Sequence, residues 1–290
     1  MSGQDQIQRF IFDEFPIRGE HVSLHQSWQQ IVSQSDAEGP ALMLLGEALC
    51  ATALLVNTLK IEGSIRLQIR GSGPIHLLVA EAYSDNSIRG VVRQNKPVVG
   101  GAPLADLFQT DKLVITINSG KAKPHQGIVS LTGNNLSEAL QAYFDYSEQL
   151  PTRLWLAVDE KNCRGLLIQK LPGDFTDTDA WSRIGILTDT ITSQELLETD
   201  AKTLLRRLYH QEVYRLFDIE PLRFSCSCSL QRTQDMLFGL GEKEVNSILE
   251  EQDNVSITCE FCNKQYSFGA IDIKQLFKSI PISPEHTTRH

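Results

Sequence analysis

The sequence predicts an α+β protein: an N-terminal mixed α/β domain on a largely antiparallel sheet, a helical linker, and a small C-terminal domain built around four cysteines. Three observations predict it. Strand-like alternation clusters in residues 1–172 without a regular strand–helix–strand repeat. Helical spacing takes over after residue 180. Four of the six cysteines then fall in the last quarter of the 290 residues, in two close pairs.

In the first region, Ser64–Arg70 (SIRLQIR) sets Ile65, Leu67 and Ile69 against polar neighbours, the period-2 pattern of a strand with one buried face. Segments 75–82, Lys112–Asn118, 127–131, 153–159 and 165–171 read as further strands, several separated by Gly, Asn or Pro punctuation. Segments 41–60 and 137–149 read as helices. The former opens with ALMLLGEALCATALLV over 41–56, the most apolar stretch of the chain. That stretch falls short of the roughly 20 residues of a bilayer span and carries Glu47 at its middle, so it reads as a core helix. Gly71-Ser72-Gly73 matches neither a nucleophile elbow nor a P-loop and reads as a turn between strands.

The character changes at 173–180, where GDFTDTDA is polar and acidic and marks an exit from the first domain. Segments 181–192 and 193–217 read as helices, with Ser193 or Thr199 as a cap of the second. Leu204, Leu205, Leu208, Tyr209, Val213, Leu216 and Phe217 recur at three- and four-residue steps, and Pro221 closes the run. This stripe either packs on its own domain or belongs to a connector whose apolar face can be uncovered; the sequence leaves both open. The expected division is therefore 1–172 as the core domain, 173–222 as the linker and 223–290 as the C-terminal domain.

Charge narrows the partners. Twenty-seven Lys and Arg against 36 Asp and Glu give a net charge of -9. A field of that sign repels phosphate backbones and anionic lipid, so neither nucleic acid nor a membrane surface is expected as a partner. The opening MSGQDQIQRFIFDEF lacks the basic and apolar regions of a signal peptide, and the expected compartment is the reducing cytoplasm. The seven histidines form no H-x-x-x-H or H-E-x-x-H pair, and no Ser, His or Asp stands out as catalytic. An enzyme is not expected.

The chemistry sits in Cys226-Ser227-Cys228 and Cys259-Glu260-Phe261-Cys262. Four thiolates suit a tetrahedral structural zinc, with Zn–S near 2.3 Å. In an extended C-x-C both side chains share one face, and a C-x-x-C turn aims two sulfurs at one metal. Val255–Thr258 (VSIT) and Gln265–Phe268 (QYSF) read as strands joined by that turn, and the apolar residues between the pairs fit two short helices broken near Gly239 and Gly241. One zinc held by Cys226, Cys228, Cys259 and Cys262 is the expectation. Three alternatives stand beside it. Permanent disulfides suit an oxidising compartment, a thioredoxin-like C-x-x-C needs a strand before it and a helix after it, and an iron–sulfur site would use the same four thiolates. Cys50, on the apolar helix, reads as an inert core thiol, and Cys163, in VDEKNCRG, as a partly exposed bystander at a turn.

These residues resemble the redox-regulated 33-kilodalton heat-shock chaperone family (33 kDa chaperonin). The resemblance rests on LYHQEVYRLFDIEPLRFSCSCS at 208–229, ITCEFCNKQYSF at 257–268 and DIKQLF at 272–277. It extends through IRGSGPI at 69–75, YFDYSEQLPT at 143–152 and GLLIQKLPG at 165–173. Gly269 departs from it, standing where an acidic residue is expected. The resemblance implies an ATP-independent holdase, inactive while reduced and zinc-bound and switched on by oxidation and unfolding stress. It implies Cys226, Cys228, Cys259 and Cys262 as the zinc ligands, and disulfides Cys226–Cys228 and Cys259–Cys262 once oxidised. It also implies unfolded client proteins, with 173–222 as a candidate client-binding region, hand-over to ATP-dependent foldase chaperones, and a homodimer on activation. Two other classes remain as alternatives: a zinc-ribbon adaptor that never switches, and a thiol oxidoreductase using Cys259 and Cys262.

Overall fold

The structure, a computed structural model, describes residues 3–120, 123–131, 133, 135–173 and 177–278. The chain divides into two units, Met1–Ser225 and Cys226–His290, and the division falls immediately before the first clustered cysteine.

In chain order, the first unit contains β1 (Gln6–Phe12), β2 (Ile17–Leu24), α1 (Gln26–Ser33), α2 (Gly39–Thr58), β3 (Ser64–Arg70), β4 (Ile75–Tyr83) and β5 (Ser87–Gln94). Next come α3 (Leu104–Phe108), β6 (Lys112–Asn118), β7 (His125–Ser130), α4 (Leu136–Tyr143), β8 (Thr152–Val158) and β9 (Cys163–Lys170). It closes with α5 (Ala180–Thr188), α6 (Ser193–Glu198), α7 (Ala201–Leu208), β10 (Tyr214–Pro221) and β11 (Arg223–Phe224). The strands form two sheets, β10-β1-β2-β9-β8 and β11-β5-β4-β3-β6-β7. Every pairing is antiparallel except β11 with β5. The expected α+β class on largely antiparallel pairing is observed, with the strands split over two sheets.

Helix α2 explains the split. It is apolar all round, so no stripe of it can face water, and it packs on β3, β4 and β5 on one side and β2, β8 and β9 on the other. Two glycines permit the close approach. A Cβ at Gly46 would lie 2.7 Å from Cys163 Sγ, and one at Gly90 would lie 2.8 Å from Leu45 Cδ1. α2 has the 20 residues expected, over Gly39–Thr58 rather than 41–60, and is long enough to cross a bilayer, but 78% of its apolar window is buried inside the protein. The other face of the five-stranded sheet carries a second core, where Phe10, Phe12, Ile17 and Ile168 meet Ile184, Leu204 and Leu205 beneath α5–α7. The first unit is thus layered sheet, helix, sheet, helices.

Three expectations need correction. The helix expected over 193–217 ends at Leu208, and Tyr214–Pro221 is a strand paired with β1. Leu204, Leu205 and Leu208 do form a buried helical stripe, but the later apolar residues fitted its period by coincidence. Leu216 and Phe217 lie on an extended strand, because β1 offers a partner and tertiary pairing overrides local propensity. The end of the linker expected over 173–222 is therefore β, and the described part of it belongs to the first unit. Cys163 is not part-exposed at a turn: it opens β9 and is fully buried. The helix expected over 137–149 runs as α4 and then widens into a π-helical turn over Phe144–Glu148. Strands β1, β2, β5 and β11 and helices α1 and α3 are additional to the expected elements. The polar exit at 173–180 lies partly outside the described residues, at 174–176, as does 279–290 of the C-terminal region.

The second unit is α8 (Leu230–Leu240), α9 (Glu242–Glu251), β12 (Val255–Thr258), β13 (Gln265–Phe268) and α10 (Ala270–Lys278). Gly241, at φ +91°, takes the left-handed turn between α8 and α9, one of the two glycines expected to break that segment. Leu237, Val245, Val255, Tyr266, Phe268 and Ile273 make its core.

Candidate metal centre

Two short pieces of backbone present the four sulfurs. Cys226 and Cys228 lie in the extended segment before α8, and Ser229 caps that helix by accepting the Arg232 amide at 3.2 Å. The Arg232 guanidinium donates to the Ser227 carbonyl at 2.9 Å and hydroxyl at 2.7 Å, which fixes the residue between the two cysteines. Cys259 and Cys262 sit in the turn joining β12 to β13. The Cys259 amide donates to the Lys264 carbonyl at 3.0 Å, the Asn263 amide returns to the Cys259 carbonyl at 2.8 Å, and Asn263 takes the left-handed conformation at φ +51°.

The sulfurs converge. Cys226 Sγ lies 3.5 Å from Cys259 Sγ and Cys228 Sγ lies 3.4 Å from Cys262 Sγ. All four fall within 4.8 Å of one another, and each side chain is half-buried. Sulfurs at the corners of a tetrahedron with Zn–S near 2.3 Å lie about 3.8 Å apart. The spacing fits such a site and is well beyond the ~2.05 Å of a disulfide bond. The cluster can hold a metal ion.

Protonation reinforces that reading. Burial pushes Cys226 up, and burial with hydrogen bonds to the other three sulfurs pushes Cys262 up. At Cys228 burial works upward too, but hydrogen bonds from Tyr266 and the three neighbouring thiols outweigh it and bring it to about 7. Of the three thiols so shifted, Cys228 alone is moved toward the thiolate. A divalent metal permits four thiolates because it supplies the missing positive charge.

Tyr266, which the sequence did not single out, is the added participant. Its hydroxyl donates to Cys228 Sγ at 3.4 Å while its ring lies in the core, with the Lys264 ammonium 5.1 Å from the ring centroid. The signal for it was its place on the inward face of a strand two residues after Lys264. Cys50 and Cys163 are brought together elsewhere: both are fully buried in the first unit and lie in hydrogen-bonding range of each other.

Comparison with known proteins agrees with these features. The family model described as Hsp33 protein matches residues 5–269. The 33 kDa chaperonin of Pseudomonas paraeruginosa is 43% identical over 297 residues, and that of Azotobacter vinelandii 44% over 297 residues, each alignment covering 100% of both chains. The crystal structure of the 33 kDa chaperonin from Thermotoga maritima superposes with a TM-score of 0.80 at 23% identity, covering 94% of this chain and 98% of that one, which shows a shared fold. On the family match and the full-length identity, this chain belongs to the Hsp33 family.

Proposed function

We propose that this protein is a redox-regulated, ATP-independent chaperone, a holdase that binds unfolding proteins once its cysteine cluster is oxidised. The observation that carries the reading is the convergence of Cys226, Cys228, Cys259 and Cys262 in a small unit of a chain whose relatives are named chaperonins. Zinc is the proposed metal, since a closed set of four cysteines is its structural preference. When bound, it supplies charge to keep all four sulfurs ionised and a tie between residues 226–228 and 259–262.

The remaining steps belong to the chain. A thiolate is the nucleophile toward peroxide or hypochlorite, so the residues that hold the metal are also its sensors. Structural zinc contributes an apparent ~10–16 kcal/mol in finger peptides, against ~5–15 kcal/mol for whole domains. Losing it removes more than a core of this size holds. Two local disulfides, Cys226–Cys228 and Cys259–Cys262, close loops too short to restore that stability.

Client binding is assigned to the region 173–222. Its apolar helical residues Leu204, Leu205 and Leu208 are buried on the sheet, so activation must lift this layer before they can meet a client. A dimer of the activated form and hand-over of clients to ATP-dependent foldases complete the proposal, in the cytoplasm.

The test is a titration with hypochlorite or peroxide, following zinc release with a chromogenic chelator alongside the aggregation of a chemically unfolded client. Zinc release that rises together with suppression of aggregation is expected. Zinc retained, or lost with no gain in suppression, would favour a fixed zinc-ribbon adaptor. Turnover of insulin disulfides by substoichiometric protein would favour a thiol oxidoreductase.

A further inference from the structure

A polar island interrupts the apolar layer between the five-stranded sheet and helices α6–α7. Strand alternation puts His21 on the same face of β2 as Ile17, which belongs to the core beneath the helices. Arg164 shares a face of β9 with Leu166 and Ile168 of that same core. Its guanidinium reaches the C-terminal end of α6 and donates to the carbonyls of Leu196 and Thr199. A helix leaves its last carbonyls without partners of its own, so these bonds tie the helical layer to the sheet.

His21 lies beside this tie, paired across the strands with Leu166. It is 1% exposed, and among the described residues neither Nδ1 nor Nε2 has a hydrogen-bond partner. A buried polar atom left unpaired weakens the packing that covers it. The charged groups acting on the ring are Arg164 from β9 and Asp200, the N-cap of α7. The Asp200 carboxylate already accepts the Thr203 amide at 3.0 Å. Lys202, Arg206 and Arg207 of α7 and Glu198 of α6 are exposed, and Glu195 is paired with Arg207. From β1 the facing residue is neutral Gln8.

We propose that His21 and Arg164 form a proton-operated latch: a proton taken up by His21 releases α6–α7 from the sheet without any oxidation of the cysteine cluster. Its consequence for clients rests on the reading of 173–222 as the client-binding region. Burial, then Arg164, hold the closed ring's pKa down to about 3, against a smaller pull from Asp200. Once the layer lifts, water reaches the ring and it ionises near the ordinary 6.5. Only the open form therefore takes the proton between these values. Each pH unit below 6.5 favours opening by about tenfold.

Two buried carboxyls need separating from this effect. Glu20 lies on the other face of β2, within reach of Thr58 of α2, and lifting the layer does not uncover it. Glu47 lines a cavity with Thr192 and Leu196, and burial raises it to about 7. It takes up its proton in the closed form and pulls against His21 over the same range.

The test compares full-length, reduced wild type with His21→Leu, so that Glu47 acts equally in both. Amide exchange over residues 193–208 is followed by mass spectrometry and corrected for its intrinsic pH dependence. The ratio of opening in wild type to that in the variant should rise about tenfold from about pH 7.5 to about pH 5.5. Strands β2 and β9 should stay protected. Equal slopes in the two proteins, or protection lost equally from β2 and β9, would overturn the latch. Should the Leu variant fail to fold, His21→Gln keeps a polar group that cannot titrate, and the same ratio decides.

Suppression of client aggregation at the lower pH, without oxidant, separates the two readings. Greater suppression by the wild type is expected. An opened layer with no gain in suppression would count against 173–222 as the client-binding region and leave the latch standing.

Discussion

The two units hold their folds by opposite means. The first buries Trp28, Leu45, Leu49, Leu54 and Tyr209 completely, fills both faces of one sheet, and wraps two sheets round a single helix. The second has one small core, a sheet of two four-residue strands, and Met236, Phe238, Leu240 and Ile271 left 42–72% exposed. A two-stranded sheet is marginal alone, and chains of fewer than about 70–80 residues usually need a staple. In the second unit four sulfurs occupy the place of that staple. On the proposed reading, stability there is conditional on the metal and the second unit senses, whereas the first unit persists on its own core.

The largest expected effect follows from that contrast. Stripping the metal with a chelator should remove amide-exchange protection across α8–α10 and β12–β13 by orders of magnitude and leave β1–β9 protected. The lost ~10–16 kcal/mol exceeds what the small core supplies. Cys226→Ser or Cys262→Ser should act in the same direction, weakening zinc by more than the ~10–100-fold of an outer partner. A second unit that stays protected without metal, or Ser variants that hold zinc like the parent, would break the comparison.

A core change should do the reverse. Gly46→Val puts methyl groups where the first Cβ atom alone would lie 2.7 Å from Cys163 Sγ and 2.8 Å from Val158 Cγ1. Overpacking of this kind costs about 1–3 kcal/mol. The melting transition of the first unit should fall while zinc affinity stays unchanged. A matching drop in zinc affinity would show that the two folds depend on each other.

What the sequence made legible follows the same line. The four ligand candidates were readable because cysteine spacing is local, and β12, β13 and the break at Gly241 followed from short-range pattern. Strand β3 was readable because Ile65, Leu67 and Ile69 alternate on one buried face. Strand β10 was not, since Leu216 and Phe217 satisfy a helical period and only the distant β1 makes them extended. The burial of Cys163 was hidden for a similar reason: the polar residues around it mark a turn, but α2 crosses directly above through Gly46. Tyr266 was legible as an inward-facing strand residue but not as a partner of the cluster, because the sulfur it touches is 38 residues away.

A third effect, smaller, concerns pH. Burial raises Glu20 to about 8 against the pull of Arg18 and Arg9. Unfolded, it ionises near 4.5. Between those values the folded state holds a proton that the unfolded state has released, so stability falls as pH rises from about 4.5 to 8. His21 works the other way. Burial, helped by Arg164, lowers it to about 3, so stability falls as pH drops from 6.5 toward 3. The first unit should be most stable in mildly acidic solution. Glu20→Gln should flatten the alkaline limb, because that variant no longer carries the proton whose release the limb reports. Melting curves across pH that keep the limb in the variant would locate its cause in another group.

The smallest effect should come from the remaining thiols, and it probes the comparison most directly. Cys50 and Cys163 are a close pair, as the ligands are, but their surroundings are opposite. Both are fully buried among apolar side chains, and burial with the neighbouring Cys50 thiol holds Cys163 well above the ordinary thiol range. Thiols buried this way are out of reach of an oxidant, and an intact first unit keeps them so. The double variant Cys50→Ala, Cys163→Ala should lose about 1 kcal/mol of first-unit stability, a typical cost for a small core truncation. Its rate of zinc release under hypochlorite and its gain in suppressing aggregation should match the parent. Activation lost in a variant that still folds and still binds zinc would mean that oxidation must also reach the first unit. The division between a persisting unit and a sensing one would then be wrong at its centre, since proximity of two thiols, whatever buries them, would be enough to make a switch.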